Sequence, residues 1–226
     1  MFHVLVISGG YLDIPFAKEY IETLSYDKVF AVDKGLYYAD QLGIKPDLII
    51  GDFDTVSSDL VNLYDERIKA GELDARIIRF PREKDLTDSE LAIIYSEDYG
   101  ATNITMLGAT GYRIDHLLAN MDLLICSNDK GIDCVIVDTN NRICLIDGEK
   151  GPNERVIDRE QQWGKYVSII PVTPYIADVT LEGVAYPLSN ARIPKGPALT
   201  VSNEIKEKTA RFHVGEGTAL LIESKD

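Results

Sequence analysis

Short apolar runs alternate with amphipathic stretches along the first 140 residues. Each apolar run has the length of a buried strand, and the stretches between them place apolar residues three or four positions apart, as helices do. The predicted strands are Val4–Ile7, Val29–Val32, Leu48–Ile50, Arg76–Phe80, Asn103–Leu107 and Cys134–Val137. This alternation predicts an α/β fold with a three-layer, mostly parallel sheet and helices on both of its faces.

Helix boundaries are marked by specific residues between these strands. Gly43 follows a helical stretch over Gly35–Leu42, as expected for a residue that ends a helix in the left-handed conformation. Thr87 and Glu90 have the spacing of a capping box, which predicts a helix beginning after Thr87. A further helix is predicted over Asp115–Ile125.

The pattern changes near residue 140, after which no helical periodicity is visible. Gly, Pro and Asn turns separate short apolar runs, which is typical of a small all-β domain. The predicted strands are Arg142–Ile146, Tyr166–Pro171, Ala177–Leu181, Leu199–Ser202, Ala210–Val214 and Leu220–Glu223. We therefore expect an α/β domain over residues 1–140 and an all-β domain, a small sandwich or barrel, over residues 141–226.

Composition narrows the classes of partner. The 226 residues carry a formal charge of −14, which argues against nucleic acid or an anionic membrane surface as a partner. No apolar run approaches the ~18 residues of a membrane span, and the start of the chain does not have the pattern of a signal peptide. Three cysteines with no zinc-site spacing are interpreted as reduced, so we expect a cytoplasmic protein.

Acidic residues follow several of the predicted strands. Asp33 ends the second strand, Asp52 and Asp54 follow the third, and Asp85 and Asp88 flank the start of a helix. If the backbone is extended, side chains two residues apart point to the same side, so Asp52 and Asp54 would face one point. Such a convergence of carboxylates suits Mg²⁺. Taken singly, each acid is more simply explained as a turn or capping residue.

A glycine-rich segment precedes the predicted helix near residue 115. Gly108 and Gly111 would allow close approach of a ligand to the backbone, and a helix N-terminus offers N–H groups to phosphate. Arg113 has the planar fork that holds phosphate oxygens. The alternatives are a capping role for Asp115 and a packed, hydrogen-bonded side chain for His116.

A third candidate segment is Ser202-Asn203-Glu204, which on its chemistry alone is most simply a turn. Together with VDKG, GIKPDLIIGDFDT, KDLTDSELAI and GATGYRIDHLLAN, in this order along the chain, it resembles the thiamine pyrophosphokinase family. The resemblance implies a catalytic, nucleotide-binding α/β domain over residues 1–140 and a thiamine-binding β-sandwich over residues 141–226, assembled as a homodimer with the site between subunits. It also implies Mg²⁺-dependent transfer of pyrophosphate from ATP to the hydroxyl of thiamine, with release of AMP.

The resemblance also implies roles for individual residues. The acids of a Mg–ATP cluster would be Asp33, Asp52, Asp54 and Asp88, with Asp85 beside them. All four would bind the metal, Asp33 would also contact the nucleotide, and Asp52, Asp54 and Asp88 would be catalytic. Further nucleotide contacts would be made by Gly9, Gly10, Gly35, Thr87, Gly108, Arg113, Asp115 and His116. Ser202 and Asn203 would contact thiamine.

Three positions depart from the family pattern. Tyr112 stands where a second glycine is usual, Thr55 replaces a serine, and Ile205 replaces an aromatic residue.

Two other functions fit the acidic and glycine-rich segments. One is a different ATP-dependent kinase or pyrophosphokinase acting on a small heterocyclic alcohol, and the other is a nucleotide-sensing protein that holds Mg–nucleotide without turnover.

Overall fold

The computed structural model describes residues 1–81 and 86–226. The chain divides into two compact units, Met1–Thr139 and Asn140–Asp226. The expected Mg²⁺ neighbour Asp85 lies outside the described residues.

The first unit alternates strands and helices as the sequence pattern predicts. Its strands are β1 His3–Ile7, β2 Lys28–Val32, β3 Leu48–Gly51, β4 Arg76–Arg79, β5 Asn103–Leu107 and β6 Asp133–Val137. Its helices are α1 Ile14–Glu22, α2 Gly35–Leu42, α3 Ser58–Lys69, α4 Asp88–Asp98 and α5 Ile114–Asp129. Every strand pairing within this unit is parallel, so the prediction of a mostly parallel sheet is confirmed.

The strand order β6-β5-β1-β2-β3-β4 explains how helices come to cover both faces. The chain moves from β1 to β4 in one direction, then crosses back to β5 and continues away from β1 to β6. Because βαβ crossovers are right-handed, this reversal places α1–α3 on one face and α4–α5 on the other. The point of reversal lies between β1 and β5, where the loops after neighbouring strands turn to opposite faces.

The second unit contains two antiparallel sheets. Its strands are β7 Asn141–Asp147, β8 Glu154–Asp158, β9 Tyr166–Pro171, β10 Tyr175–Glu182, β11 Leu188–Pro194, β12 Asn203–Glu204, β13 Thr209–His213 and β14 Thr218–Ser224. One sheet has the order β12-β9-β14-β7 and the other β11-β10-β13-β8. Buried side chains such as Ile169, Val179, Phe212 and Leu221 form their common core, which confirms the predicted sandwich.

Parts of the second unit were not predicted correctly. The sequence did not indicate β8 or β11, whose exposed residues break the alternation of apolar and polar positions. The predicted strand Leu199–Ser202 is wrong, because this segment forms a turn that ends at the two-residue strand β12. No helix within residues 1–81 and 86–226 is long and apolar enough to cross a membrane.

Candidate active site

Three carboxyl groups come together at the carboxyl edge of the parallel sheet. Asp33 follows β2, Asp52 follows β3, and Asp88 is the first residue of α4. Burial raises the pKa of Asp33 from its ordinary 3.8 to about 7, and the negative charges of Asp88 and Asp52 add to this effect. A hydrogen bond from the Phe53 backbone acts in the opposite direction. Asp33 is therefore held where ionisation is opposed unless a cation is present.

The surroundings of Asp33 leave one of its oxygens without a hydrogen-bond partner. Its Oδ1 is buried, and no donor within the described structure reaches it. A side chain on Gly51 would clash with this oxygen, so glycine is required for the carboxyl group to occupy its place. The backbone of Asp33 has a φ of 48°, and its N–H donates to the carbonyl oxygen of Ile50 at 2.9 Å. A buried, unpartnered oxygen is a polar group that a bound cation would satisfy.

Asp52 and Asp54 are arranged differently from the expectation of extended backbone. The intervening Phe53 is buried and has a φ of 60°, so the extended geometry that would place both carboxylates on one side is wrong. The backbone N–H of Asp54 donates to Oδ1 of Asp52 at 3.0 Å, which makes the segment a tight turn. Asp52 is partly buried beside Asp33, whereas Asp54 is exposed.

Two cationic residues near these acids were not recognised in the sequence. The guanidinium of Arg79, at the end of β4, lies 5.4 Å from the centroid of the Phe53 ring. Lys34 directly follows Asp33, and its ammonium lies 5.4 Å from the centroid of the Tyr38 ring. Lys34 belongs to the VDKG segment, although only Asp33 and Gly35 of that segment were singled out. Arg79 follows from topology rather than from a motif, because β4 pairs with β3 in register from Leu48–Arg76 to Gly51–Arg79. Both are suited to attract the phosphate groups of an anionic ligand.

The Mg²⁺ expectation is compatible with this geometry. Among the described residues, no group of three or more His, Cys, Asp or Glu side chains has a full metal-binding arrangement. Mg²⁺ is usually held by only one or two protein carboxylates, with water and phosphate oxygens as the other ligands. The unpartnered oxygen of Asp33 and the neighbouring carboxyl groups of Asp52 and Asp88 fit such a site.

Thr87 caps α4 as the sequence predicts. Its side-chain oxygen accepts a hydrogen bond from the backbone N–H of Glu90 at 3.1 Å. This bond fixes the first turn of α4 and with it the position of Asp88. The structure thus gives Thr87 a positioning role, while a direct nucleotide contact by Thr87 stays a prediction.

The glycine-rich loops after β1 and β5 are in direct backbone contact. The N–H of Gly10 donates to the carbonyl oxygen of Gly108 at 2.9 Å, and that of Ser8 donates to Leu107 at 2.8 Å. A side chain at Gly10 would clash with the same Gly108 oxygen. Gly9 lies against the backbone of Lys34, where an added Cβ would stand 3.3 Å from the nitrogen. These glycines are needed for close packing of two loops that lie beside the acid cluster.

Gly35 has a similar packing role at the start of α2. An added side chain would clash with the carbonyl oxygen of Ile7, at the end of β1. Glycine therefore lets the N-terminus of α2 approach the end of this central strand. A nucleotide contact through the backbone of Gly35 stays a prediction.

Arg113 and Asp115 form an exposed ion pair at the N-terminus of α5. Nη2 of Arg113 lies 2.6 Å from Oδ2 of Asp115, and this hydrogen bond is the main reason that the pKa of Asp115 falls to about 2. The backbone N–H of His116 donates to Asp115 at 3.0 Å. His116 is exposed, which is inconsistent with a packed histidine. Asn120 was missed in the sequence, and its Nδ2 donates to the carbonyl oxygen of Ala109 at 2.8 Å, fastening this loop to α5.

Ser202 is the last residue of a turn in the second unit, and Asn203 is the first residue of β12. Asn203 is 5% exposed; its Oδ1 accepts from the backbone N–H groups of Tyr186 and Glu204, and its Nδ2 donates to the carbonyl oxygen of Tyr186. Ser202 is exposed, has a φ of 58°, and its N–H donates to the hydroxyl of Ser168 at 2.9 Å. Most of the hydrogen-bonding capacity of Asn203 is thus used within the chain, which leaves one N–H for a ligand.

Comparison with known proteins identifies the class of this chain. The family model for the catalytic domain of thiamin pyrophosphokinase matches residues 21–136, and the model for the vitamin B1 binding domain of thiamin pyrophosphokinase matches residues 154–218. Thiamine pyrophosphokinase from Bacillus subtilis (strain 168) is 31% identical over 195 residues, which cover 86% of each chain. These matches define a kinase-type transferase. The chain belongs to the thiamine pyrophosphokinase family, so the resemblance seen in the sequence motifs is confirmed.

Solved structures agree with this assignment. The crystal structure of thiamine pyrophosphokinase from Bacillus subtilis superimposes with a TM-score of 0.85, at 28% identity and 99% coverage of each chain. That of thiamin pyrophosphokinase from Geobacillus thermodenitrificans gives a TM-score of 0.80 at 30% identity, covering 100% of this chain and 98% of the other. The α/β domain followed by a β-sandwich is therefore the fold of these proteins.

Proposed function

We propose that this protein transfers pyrophosphate from ATP to the hydroxyl of thiamine, forming thiamine diphosphate and AMP. The observation that carries the proposal is the cluster of Asp33, Asp52 and Asp88 beside the glycine loops, in a chain of this family. Ligands of open parallel sheets bind at the carboxyl ends of the strands, where this cluster lies. Asp54, which lies in the same turn as Asp52, is proposed as a further acid of the site.

Mg²⁺ is the proposed cofactor, held at any one time by one or two of the carboxylates of Asp33, Asp52, Asp54 and Asp88, with phosphate and water oxygens as the other ligands. When bound, it would neutralise charge on the phosphate oxygens, which otherwise would be repelled by these carboxylates. Arg79 and Lys34 add positive charge on the protein side of the same edge. In the reaction, the thiamine oxygen would bond to the β-phosphorus as the bond from this phosphorus to the bridging oxygen of AMP breaks. That bridging oxygen keeps the bonding electrons, and the hydroxyl proton passes to a carboxylate of the acid cluster or to water.

Two groups of residues are proposed to contact the nucleotide: the glycines of the loops after β1 and β5, through their backbone, and the residues at the N-terminus of α5, through their side chains. Gly9, Gly10 and Gly108 carry no side chains that could obstruct a ligand, and Arg113, Asp115 and His116 lie at an exposed helix N-terminus. On the thiamine side, Ser202 is exposed and available, and Asn203 has one remaining N–H.

A product assay tests the proposal against both alternatives. Incubation with ATP, Mg²⁺ and thiamine should release AMP, and release should require thiamine. A simple kinase would release ADP, and a nucleotide sensor would release neither product.

We expect Asp52→Asn to lose at least a hundredfold in kcat/KM, because removing a stabiliser of transition-state charge costs about 3 kcal/mol or more. Unchanged turnover in this variant would contradict the assignment of the acid cluster.

We also propose a homodimer in the cytoplasm. The second unit exposes the apolar side chains of Tyr186, Leu199 and Val201, on two segments that Asn203 joins through its hydrogen bond with the backbone of Tyr186. These side chains would be covered at an interface between two copies. The cytoplasmic location is supported by Cys126, Cys134 and Cys144, which form no disulfide in the described structure.

A further inference from the structure

Two tyrosines stand at the point where the sheet topology reverses. Tyr11 follows β1 and Tyr112 follows β5, and these neighbouring strands send their loops to opposite faces of the sheet. Such a reversal opens a crevice outside the carboxyl ends of the strands, and ligands of open α/β sheets bind in it. The two rings contact each other there, with centroids 5.5 Å apart and planes tilted by 56°.

The glycine loops hold this tyrosine pair in place. An added side chain on Gly111 would stand 2.7 Å from the backbone nitrogen of Tyr11, so the two loops touch directly beneath the rings. The hydrogen bond from Gly10 to Gly108 and the bond from Asn120 to Ala109 fix the loops on either side. The position of the rings is therefore set by backbone contacts rather than by packing of the rings into a core.

Both tyrosine side chains are strongly exposed to solvent, although they contact each other. Tyr112 is 88% exposed and Tyr11 is 50% exposed; among the described large apolar side chains only Met1 is more exposed than Tyr112. The contact between the two rings covers only part of each, so an aromatic face remains open to solvent. Burial of an exposed aromatic surface lowers the free energy, and a planar π-system can bury it by stacking on the ring face.

The distance from this pair to the acid cluster suits a nucleotide. Asp33 follows β2 and Asp52 follows β3, and these strands lie two and three strands from β5, the strand that Tyr112 follows. At ~4.8 Å per strand the separations are roughly 10 and 14 Å, about the length of a ribose with its phosphate chain. Between the two places lie Gly9 and Gly10, which present no side chains. The formal charge of −14 on the chain repels a polyanionic ligand. Contacts with the uncharged base of such a ligand would add affinity that this repulsion does not reduce.

We propose that Tyr11 and Tyr112 form a stacking site for the purine base of the nucleotide substrate. The inference rests on the proposed function, which places the phosphates at Asp33, Asp52 and Asp88. Tyr112 would supply an open ring face to the base, and Tyr11 would support Tyr112 from behind. The pair would thus determine how strongly the protein prefers a nucleoside triphosphate to a phosphate chain without a base.

Calorimetric titration of the intact protein with Mg–ATP, and with inorganic tripolyphosphate plus Mg²⁺ as a probe without a base, tests this site. Base–aromatic stacking predicts that Tyr112→Ala weakens ATP binding by about five- to a hundredfold. Tyr112→Phe keeps the ring and should stay within about twofold of the wild type. Tripolyphosphate binding should be the same in all three proteins. Tyr37→Ala removes another exposed tyrosine, on α2, and should leave both ligands unaffected.

Three results would overturn the inference. ATP binding unchanged in Tyr112→Ala would exclude stacking, an equal loss for ATP and tripolyphosphate would indicate a disturbed phosphate loop, and a changed molecular mass would place Tyr112 in an interface between copies. Failure of the proposed function gives a different result. If the wild type binds ATP in a Tyr112-dependent manner but releases no AMP with thiamine, the stacking site stands and the proposed reaction does not.

Discussion

At Asp33, a carboxyl group is buried beside two others, and its ionisation is opposed by both burial and charge. In the range between its ordinary pKa of 3.8 and its raised value of about 7, the folded protein holds a proton that the unfolded chain has lost. Stability falls with rising pH wherever the folded state binds more protons. The group therefore weakens the metal-free fold near neutral pH, and a cation bound there would remove this penalty.

This predicts a specific pH dependence. Without Mg²⁺, the contribution of Asp33 should make the wild type progressively less stable as the pH rises from about 4 to 7, whereas Asp33→Asn should lack this part of the slope. Addition of Mg²⁺ should raise the melting temperature of the wild type more at pH 7 than at pH 5. Parallel thermal melts of both proteins across this range measure the difference. Superimposable pH profiles would show that Asp33 is not the group responsible.

The residues at this site differ in how far the sequence could predict them. Asp33 and Asp88 were recognised because acids at strand ends and helix starts are visible as a pattern. The left-handed conformation of Phe53 was not, since it arises from burial of the ring below the turn and not from a residue that favours positive φ. Arg79 was missed because its proximity to Phe53 depends on the register of β3 and β4.

At the scale of elements, the first unit follows its sequence closely because local signals and packing agree. Gly43 ends α2 with a φ of 69°, and Thr87 caps α4, as the residue types predict. The second unit is less predictable. The strand β8 pairs with β13, which is distant in sequence, and β11 pairs with the neighbouring β10 through an irregular register. Their polar sequences therefore carry little local signal.

The turn that precedes β12 leads to a prediction about Asn203. Its side chain joins this turn to the backbone of Tyr186 through an accepted and a donated hydrogen bond. Asn203→Ala should lower the free energy of unfolding by about 1–3 kcal/mol, because buried partners lose their bonds. Denaturant unfolding without ligands measures this loss. Ser202→Ala, one residue away and exposed, is the matched control and should change stability by less than about 0.5 kcal/mol.

The same pair of variants distinguishes a structural role for Asn203 from a ligand-reading role. If the remaining side-chain N–H of Asn203 contacts the aminopyrimidine of thiamine, Asn203→Ala should also weaken thiamine binding and leave ATP binding unchanged. Both affinities are measured at low temperature, where the variant is fully folded. Weakened thiamine binding with an unchanged free energy of unfolding would contradict the structural role and assign Asn203 to the ligand alone.

For the whole molecule, the distribution of exposed apolar side chains is the main indication of assembly. Asn203 accepts a hydrogen bond from the backbone of Tyr186 and directly follows the turn that carries Leu199 and Val201. We propose that these three exposed side chains together form one patch on the second unit. This unit has only 87 residues, from Asn140 to Asp226, and a domain of this size has a modest core. Covering the patch with a second copy would add buried apolar surface that the single unit lacks.

We therefore expect light scattering to give twice the chain mass of 25.2 kDa at micromolar concentration. Leu199→Glu places a charge in the patch and should shift the protein toward the single-chain mass, because an unpaired charge is costly to bury at an interface. Leu63→Glu is the matched control: Leu63 is a similarly exposed leucine, on α3 of the first unit, and its replacement should leave the mass unchanged. A wild-type mass of one chain in an active sample would contradict the homodimer. A dimer that tolerates Leu199→Glu would instead place the interface away from this patch.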